Sequence, residues 1–166
     1  MFKQPLIVFT IALTALLANS PYQSLQAQTS RENNMPKVFV LGDNEKGYEQ
    51  LVGAYGMPLL TACNNDMQRG FELWLSMMQE MEAYSKQINF DLDGIKVWLH
   101  VFWDKDGTVN HIAYHLRPNS RNVKTEELTA FFVSFTNHYK FPLTAVDKFS
   151  HYTGASFPTF SKRVDD

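Results

Sequence analysis

Between Met67 and Ile88 the apolar residues Trp74, Met77, Met78, Met81, Tyr84 and Ile88 recur at three- and four-residue steps. That is the period of a helix with one buried face. Asn65 or Asp66 can cap its start, and Glu82 and Lys86 stand one turn apart on the wet side. Methionines at this spacing read as core filler rather than metal ligands or an adaptable binding groove. The period then drops to two. Ile95, Val97, Leu99, Val101 and Trp103 alternate with Lys96, Trp98, His100, Phe102 and Asp104, which predicts a strand. "DKDG" follows as a turn in which Gly107 supplies a positive φ, and "TVNHIAYHL" reads as the returning strand of a hairpin. After the loop "RPNSRNVK", Leu128, Phe131, Phe132, Phe135 and Tyr139 mark one face of a second helix. Thr125 is positioned to cap it, Glu126 and Glu127 suit its positive start, and Pro142 ends it by disfavouring helix at Phe141.

The flanks are less periodic. "KVFVLG" (residues 37–42) predicts a short strand ended by the turn-rich "GDNEKG". "YEQLVGAYGMPLL" reads as a short helix up to Tyr55, closed by Gly56 with Pro58 beyond. "KFSHYTGASFPTF" reads as one bent strand or two short ones at a sheet edge, where proline is tolerated. At the start, "MFKQP", the thirteen-residue apolar run Leu6–Ala18 and the polar "NSPYQSLQAQ" have the layout of a secretory signal peptide. The run is shorter than the roughly 17–25 residues that span a bilayer. Cleavage is placed after Ala27, with Leu25 where a small residue is preferred; an uncleaved anchor is the alternative. The resulting organisation is a signal peptide (1–27), a short extension (28–60), an α+β domain (61–162) and a solvated tail (163–166).

Composition narrows the function. A 45% apolar and 14% aromatic share can fill a real core, and a net charge of −2 lacks the basic field that captures nucleic acid. The aromatic excess is compatible with a partner-binding face. The one cysteine, Cys63, excludes an internal disulfide and reads as a small buried residue ahead of the first helix.

The hairpin holds three of the five histidines, His100, His111 and His115. "DKDGTVNHIAYH" fails the calcium-loop pattern, with its Gly at the fourth place and a His at the twelfth. On a strand His111 and His115 lie roughly 13 Å apart, too far to share an ion, and no further ligands complete a zinc set. With a two-residue "DG" loop, Phe102 faces His111 and Trp98 faces His115; with a "KDG" loop His100 moves to the opposite face. "GASFP" lacks the second glycine of a nucleophile elbow. Asp91 and Asp93 straddle a turn, and there is no glycine-rich phosphate loop. The sequence therefore predicts no catalytic residues, no metal and no cofactor.

The order of helix, strand, D-x-D-G hairpin, strand, aromatic-faced helix and closing aromatic segment resembles the C-terminal domain of the TonB energy transducers of Gram-negative bacteria. "VWLHVFWDKDGTVNHIAYH", "ELTAFFVSFTNHYKFP" and "SFPTF" carry the likeness, over roughly Met67 to Phe160. It implies a periplasmic α+β fold with two helices packed on one face of a small antiparallel sheet. It also implies capture of an outer-membrane receptor segment by strand addition to the sheet edge. Carried over, the partner-binding residues are Ser156, Phe157, Thr159 and Phe160, with Pro158 a departure because it removes one donor. The short apolar N-terminus and the absence of a Pro-rich spacer also depart from a force transducer. The expected function is an exported, non-catalytic module for a protein partner, with no nucleic acid and no stable membrane span once the signal is cleaved. The alternatives are an exported enzyme using the hairpin histidines, and a transducer with an uncleaved anchor.

Overall fold

The computed structural model describes residues 35–159. The signal peptide, the alternative anchor, Phe160 and the tail lie outside the described residues. The chain runs β1 (Val38–Val40), α1 (Glu45–Ala54), β2 (Met57–Pro58), α2 (Leu59–Ala62), α3 (Met67–Gln87), β3 (Lys96–Trp103), β4 (Val109–Leu116), α4 (Thr125–His138) and β5 (Phe149–Ser156). The strands form one sheet in the order β1-β4-β3-β5-β2. β3 pairs antiparallel with β4 and β5, whereas β1 runs parallel to β4 and β2 parallel to β5.

The fold is α+β as the periodicity predicts, but the expected small antiparallel sheet with two helices is corrected to a five-stranded mixed sheet with four helices. The difference comes from the two short strands. Val38 and Val40 enter the main core while Phe39 enters a second core on the other face. A strand buried on both faces shows no alternation, and nothing local in it sets the direction of its pairing. β2 is only two residues long and has no period of its own.

The main core lies between the sheet and the helices α3 and α4. Val97, Leu99, Val101 and Trp103 of β3 meet Met77, Met78 and Met81 of α3 and Leu128, Phe131, Phe132 and Phe135 of α4. The methionines are therefore core, and Cys63 is buried with them. Asp66 caps α3 by accepting from Arg69 N at 3.0 Å. Two local expectations shift. α4 starts after Lys124 with no side-chain cap, and Thr125 is its first residue. Glu82 turns from Lys86 to accept from both the backbone N and the Oγ1 of Thr159. On the opposite sheet face α1, capped by Asn44, packs Leu51 and Tyr55 on Phe39, Phe102 and Ala113.

The hairpin takes the register that places Phe102 opposite His111 and Trp98 opposite His115, with the pairing shifted by one residue between Phe102 and Trp103. The extra residue is a bulge at the mouth of the turn. Gly107 has φ +86°, and its N donates to Asp104 O at 2.9 Å. A Cβ there would stand 2.1 Å from the carbonyl oxygen of Phe141. The same close approach lets Phe141 N donate to Gly107 O at 2.9 Å, so the turn is tied to the strap that follows α4. Gly107→Ala combines a left-handed backbone with a backbone clash. It should lower unfolding free energy by roughly 3 kcal/mol, read as a lower urea midpoint at unchanged slope. An unchanged midpoint would contradict this packing of the turn.

Candidate functional site

The outer edge of β5 is largely uncovered. Arg117 N donates to Lys96 O and Phe157 N to Ile95 O, which fixes the alternation along the central strand. Even-numbered residues of β3 bond to β4 and odd-numbered ones to β5. In β5 the odd-numbered residues face β3, so the N–H and C=O groups of Tyr152, Gly154 and Ser156 point outward. β2 meets this edge only at Phe149 and Ser150. Among the described residues no strand pairs with the edge beyond that point. At the other margin β1 has three residues, and Val40 O already accepts from Asp43 N at 3.3 Å.

Beside the open edge, on the face of the sheet that carries α3, lies a groove of about 450 Å³. Its floor is His151, Thr153 and Gly154, and its far wall is Met67, Gly70, Phe71 and Trp74 of α3, closed at one end by Pro58 and Leu60. Met67 is 75% exposed, Phe71 56% and Leu60 39%. Trp74, expected in the core, packs at its margin, partly buried and edge-to-face on His151 with ring centroids 4.9 Å apart. β5 is why: it lies one strand outside β3, so the first turns of α3 overhang the sheet margin rather than its centre.

The opposite face of the same edge is aromatic. Arg117 Cζ lies 5.4 Å from the centroid of the Trp98 ring. Trp98 in turn stacks on Tyr152, with centroids 5.8 Å apart and an interplanar angle of 19°. Gly154 stands directly across from Trp98, and a Cβ there would come within 3.2 Å of the indole. The glycine therefore makes room for the indole to lean toward Tyr152. Of the eight large apolar side chains left exposed among the described residues, five lie about this edge: Leu60, Met67 and Phe71 on one side, Trp98 and Tyr152 on the other.

The residues singled out by sequence are divided. Ser156 ends β5, exposed and opposite Lys96, with its backbone pointing outward. Phe157 is buried, and both its backbone groups are taken: its N donates to Ile95 O and its O accepts from Gly94 N. Thr159 is held by Glu82, and Phe160 lies outside the described residues. Pro158 lies past the end of β5 and removes no donor from its ladder. The free stretch is thus Tyr152 to Ser156, upstream of the expected centre. A clue to it was present in the alternation of "SHYTGAS", which carries no proline.

The histidines do not converge. His111 Nδ1 is hydrogen-bonded to Pro36 O at 3.0 Å, and His115 is exposed. His100 lies under α1, hydrogen-bonded through Nδ1 to the Tyr48 hydroxyl at 2.8 Å. Among the described residues no three His, Cys, Asp or Glu side chains are grouped as a metal ion requires. A second cavity of about 430 Å³ is bordered by Asp106 and Lys140, already paired at 2.8 Å. That contact, with the Thr108 backbone N–H, holds the Asp106 carboxyl well below the usual range. A third, of about 200 Å³, adjoins a bonded chain of Tyr84, Ser134 and His138 that ties α3 to α4. Neither has the apolar walls or the open backbone of the β5 groove. No helix among the described residues is long and apolar enough to cross a membrane.

Compared with protein-family models, curated proteins and solved structures, the chain has no significant match.

The His100 site makes stability depend on pH. His100 is 7% exposed, and burial, helped by His151, pulls its imidazole from 6.5 down to about 4. Between those values the unfolded chain binds a proton that the folded chain refuses. This contribution is complete above about pH 6.5 and is lost as pH falls toward 4. Its span is about 2 kcal/mol after allowance for solvent screening. Urea unfolding between pH 7 and 4 should show that loss. His100→Gln should remove most of it, leaving the smaller share of His151, which burial also lowers. An identical pH dependence in the variant would contradict the assignment.

Proposed function

We propose that this chain is an exported, non-catalytic binding module that takes up an extended segment of a periplasmic or outer-membrane protein along the open edge of β5. One observation carries the reading. An uncovered strand edge and an exposed apolar groove occupy the same margin of the sheet. Backbone groups in a row, pointing outward at strand spacing, are complementary to another extended backbone. A groove beside them accepts alternate side chains of the added strand, the division of labour found in β-augmentation. An edge of this kind invites unwanted pairing unless it is covered or charged, and His151 is the one ionisable residue on the floor of the groove.

The resemblance of "VWLHVFWDKDGTVNHIAYH" and "ELTAFFVSFTNHYKFP" to the TonB C-terminal domain supports the same reading, since strand addition is that family's binding mode. The signal-like N-terminus supports export. The working segment proposed here is Tyr152 to Ser156, overlapping the carried-over set at Ser156.

The test is capture of partners from periplasmic and outer-membrane fractions of the native host by the purified protein and four variants. Ser156→Pro removes an outward N–H, and Phe71→Glu puts a charge in the groove; both change exposed residues and should preserve the fold. A specific partner should be captured by the natural protein and lost, by about tenfold or more in affinity, from these two. His111→Ala and His115→Ala should retain it. Retention by the edge variants, or loss in the histidine variants alone, would contradict the reading.

A further inference from the structure

The stack across the open sheet face states what the incoming strand should look like. Arg117 just past the end of β4, Trp98 of β3 and Tyr152 of β5 form a diagonal row across the sheet, each planar group against the next. Arg117 stands level with Lys96 and Tyr152 level with His100, so the two reach Trp98 from opposite directions along the strand. Tyr152, 52% exposed, also meets the His100 ring edge-on at 5.4 Å and stands on the strand whose outer edge is open. Side chains directly opposite one another on neighbouring strands share a face and interact most strongly. A residue paired with Tyr152 would therefore be its direct neighbour on the same face and would pack against its ring. Its two sequence neighbours, opposite His151 and Thr153, would point to the other face and into the groove.

Charge selects among planar groups. The strand positions on this face include Lys96, Arg117 and His115 and no carboxylate. A second guanidinium would meet positive charge, whereas an aromatic ring would not. Resting on the edge-binding reading above, we infer that the partner segment carries an aromatic residue opposite Tyr152, flanked on both sides by apolar residues that enter the groove. Tyr152 is then the specificity-determining residue of the site, and the groove formed with Met67 and Phe71 supplies the apolar preference.

Short synthetic peptides with polar ends test this. In one set two leucines flank a central tryptophan, arginine or serine; in another, two threonines flank the tryptophan. Binding is followed through the amide resonances of the isotope-labelled protein. The leucine-flanked tryptophan peptide should shift the Tyr152, Gly154 and Ser156 amides and bind about fivefold more tightly than its serine counterpart. It should also exceed the arginine and threonine-flanked versions. In Tyr152→Ser the advantage of tryptophan over serine should vanish while the edge amides still respond. Equal binding of all central residues, at the same amides, would overturn this inference and leave the edge reading standing. No response at those amides from any peptide would overturn both.

Discussion

The described residues are arranged around β3, whose Val97, Leu99, Val101 and Trp103 are buried in the main core and whose two edges are both paired. An interior strand also needs cover on its second face. Among the described residues α1 is the helix that supplies it, and α1 is ten residues long, about 15 Å. β3 has eight residues, about 26 Å. The helix therefore reaches Phe102 and His100 and leaves Trp98 uncovered. Because the cover is too short, the far end of the sheet has to stabilise itself through side-chain stacking.

The sheet margin follows from the same arithmetic. β2 satisfies β5 for two residues, and the chain then turns into α2 and α3. The start of α3 overhangs the margin instead of covering it. Its first turns present Met67 and Phe71 to the gap, and its later turns fill the core with Met77, Met78 and Met81. One helix thus does two jobs along its length. The hairpin turn is remote from this edge and serves stability: Gly107 admits the backbone of Phe141, and Asp106 pairs with Lys140. In the proposed reading, function lies where hydrogen bonds and apolar area are both left unspent.

How much of this could be read in advance depended on period and length. α3, the hairpin and α4 were legible because each runs long enough for its apolar spacing to be unambiguous. "KVFV" could be read as a strand, but its parallel pairing with β4, 74 positions away at Val38 and Ile112, leaves no local trace. β2 and α2 are too short to carry a pattern. The site was legible in part. Strand addition at the closing segment was expected from resemblance, and Ser156 lies within the proposed segment. Phe157 was expected at the edge through the resemblance, yet its ring fills the core and its backbone is bonded to Gly94 and Ile95. Burial of that kind depends on where β5 lands against β3. The row of Arg117, Trp98 and Tyr152 joins residues from three segments, so only the register reveals it.

The central claim is that the outer edge of β5 is open. Residue-resolved amide hydrogen exchange on the free protein tests it most directly. The inward-facing amides of Thr153 and Ala155 should be protected close to the global stability, whereas Tyr152, Gly154 and Ser156 should exchange orders of magnitude faster. Equal protection of both sets would mean that the edge is already paired, and would contradict the account.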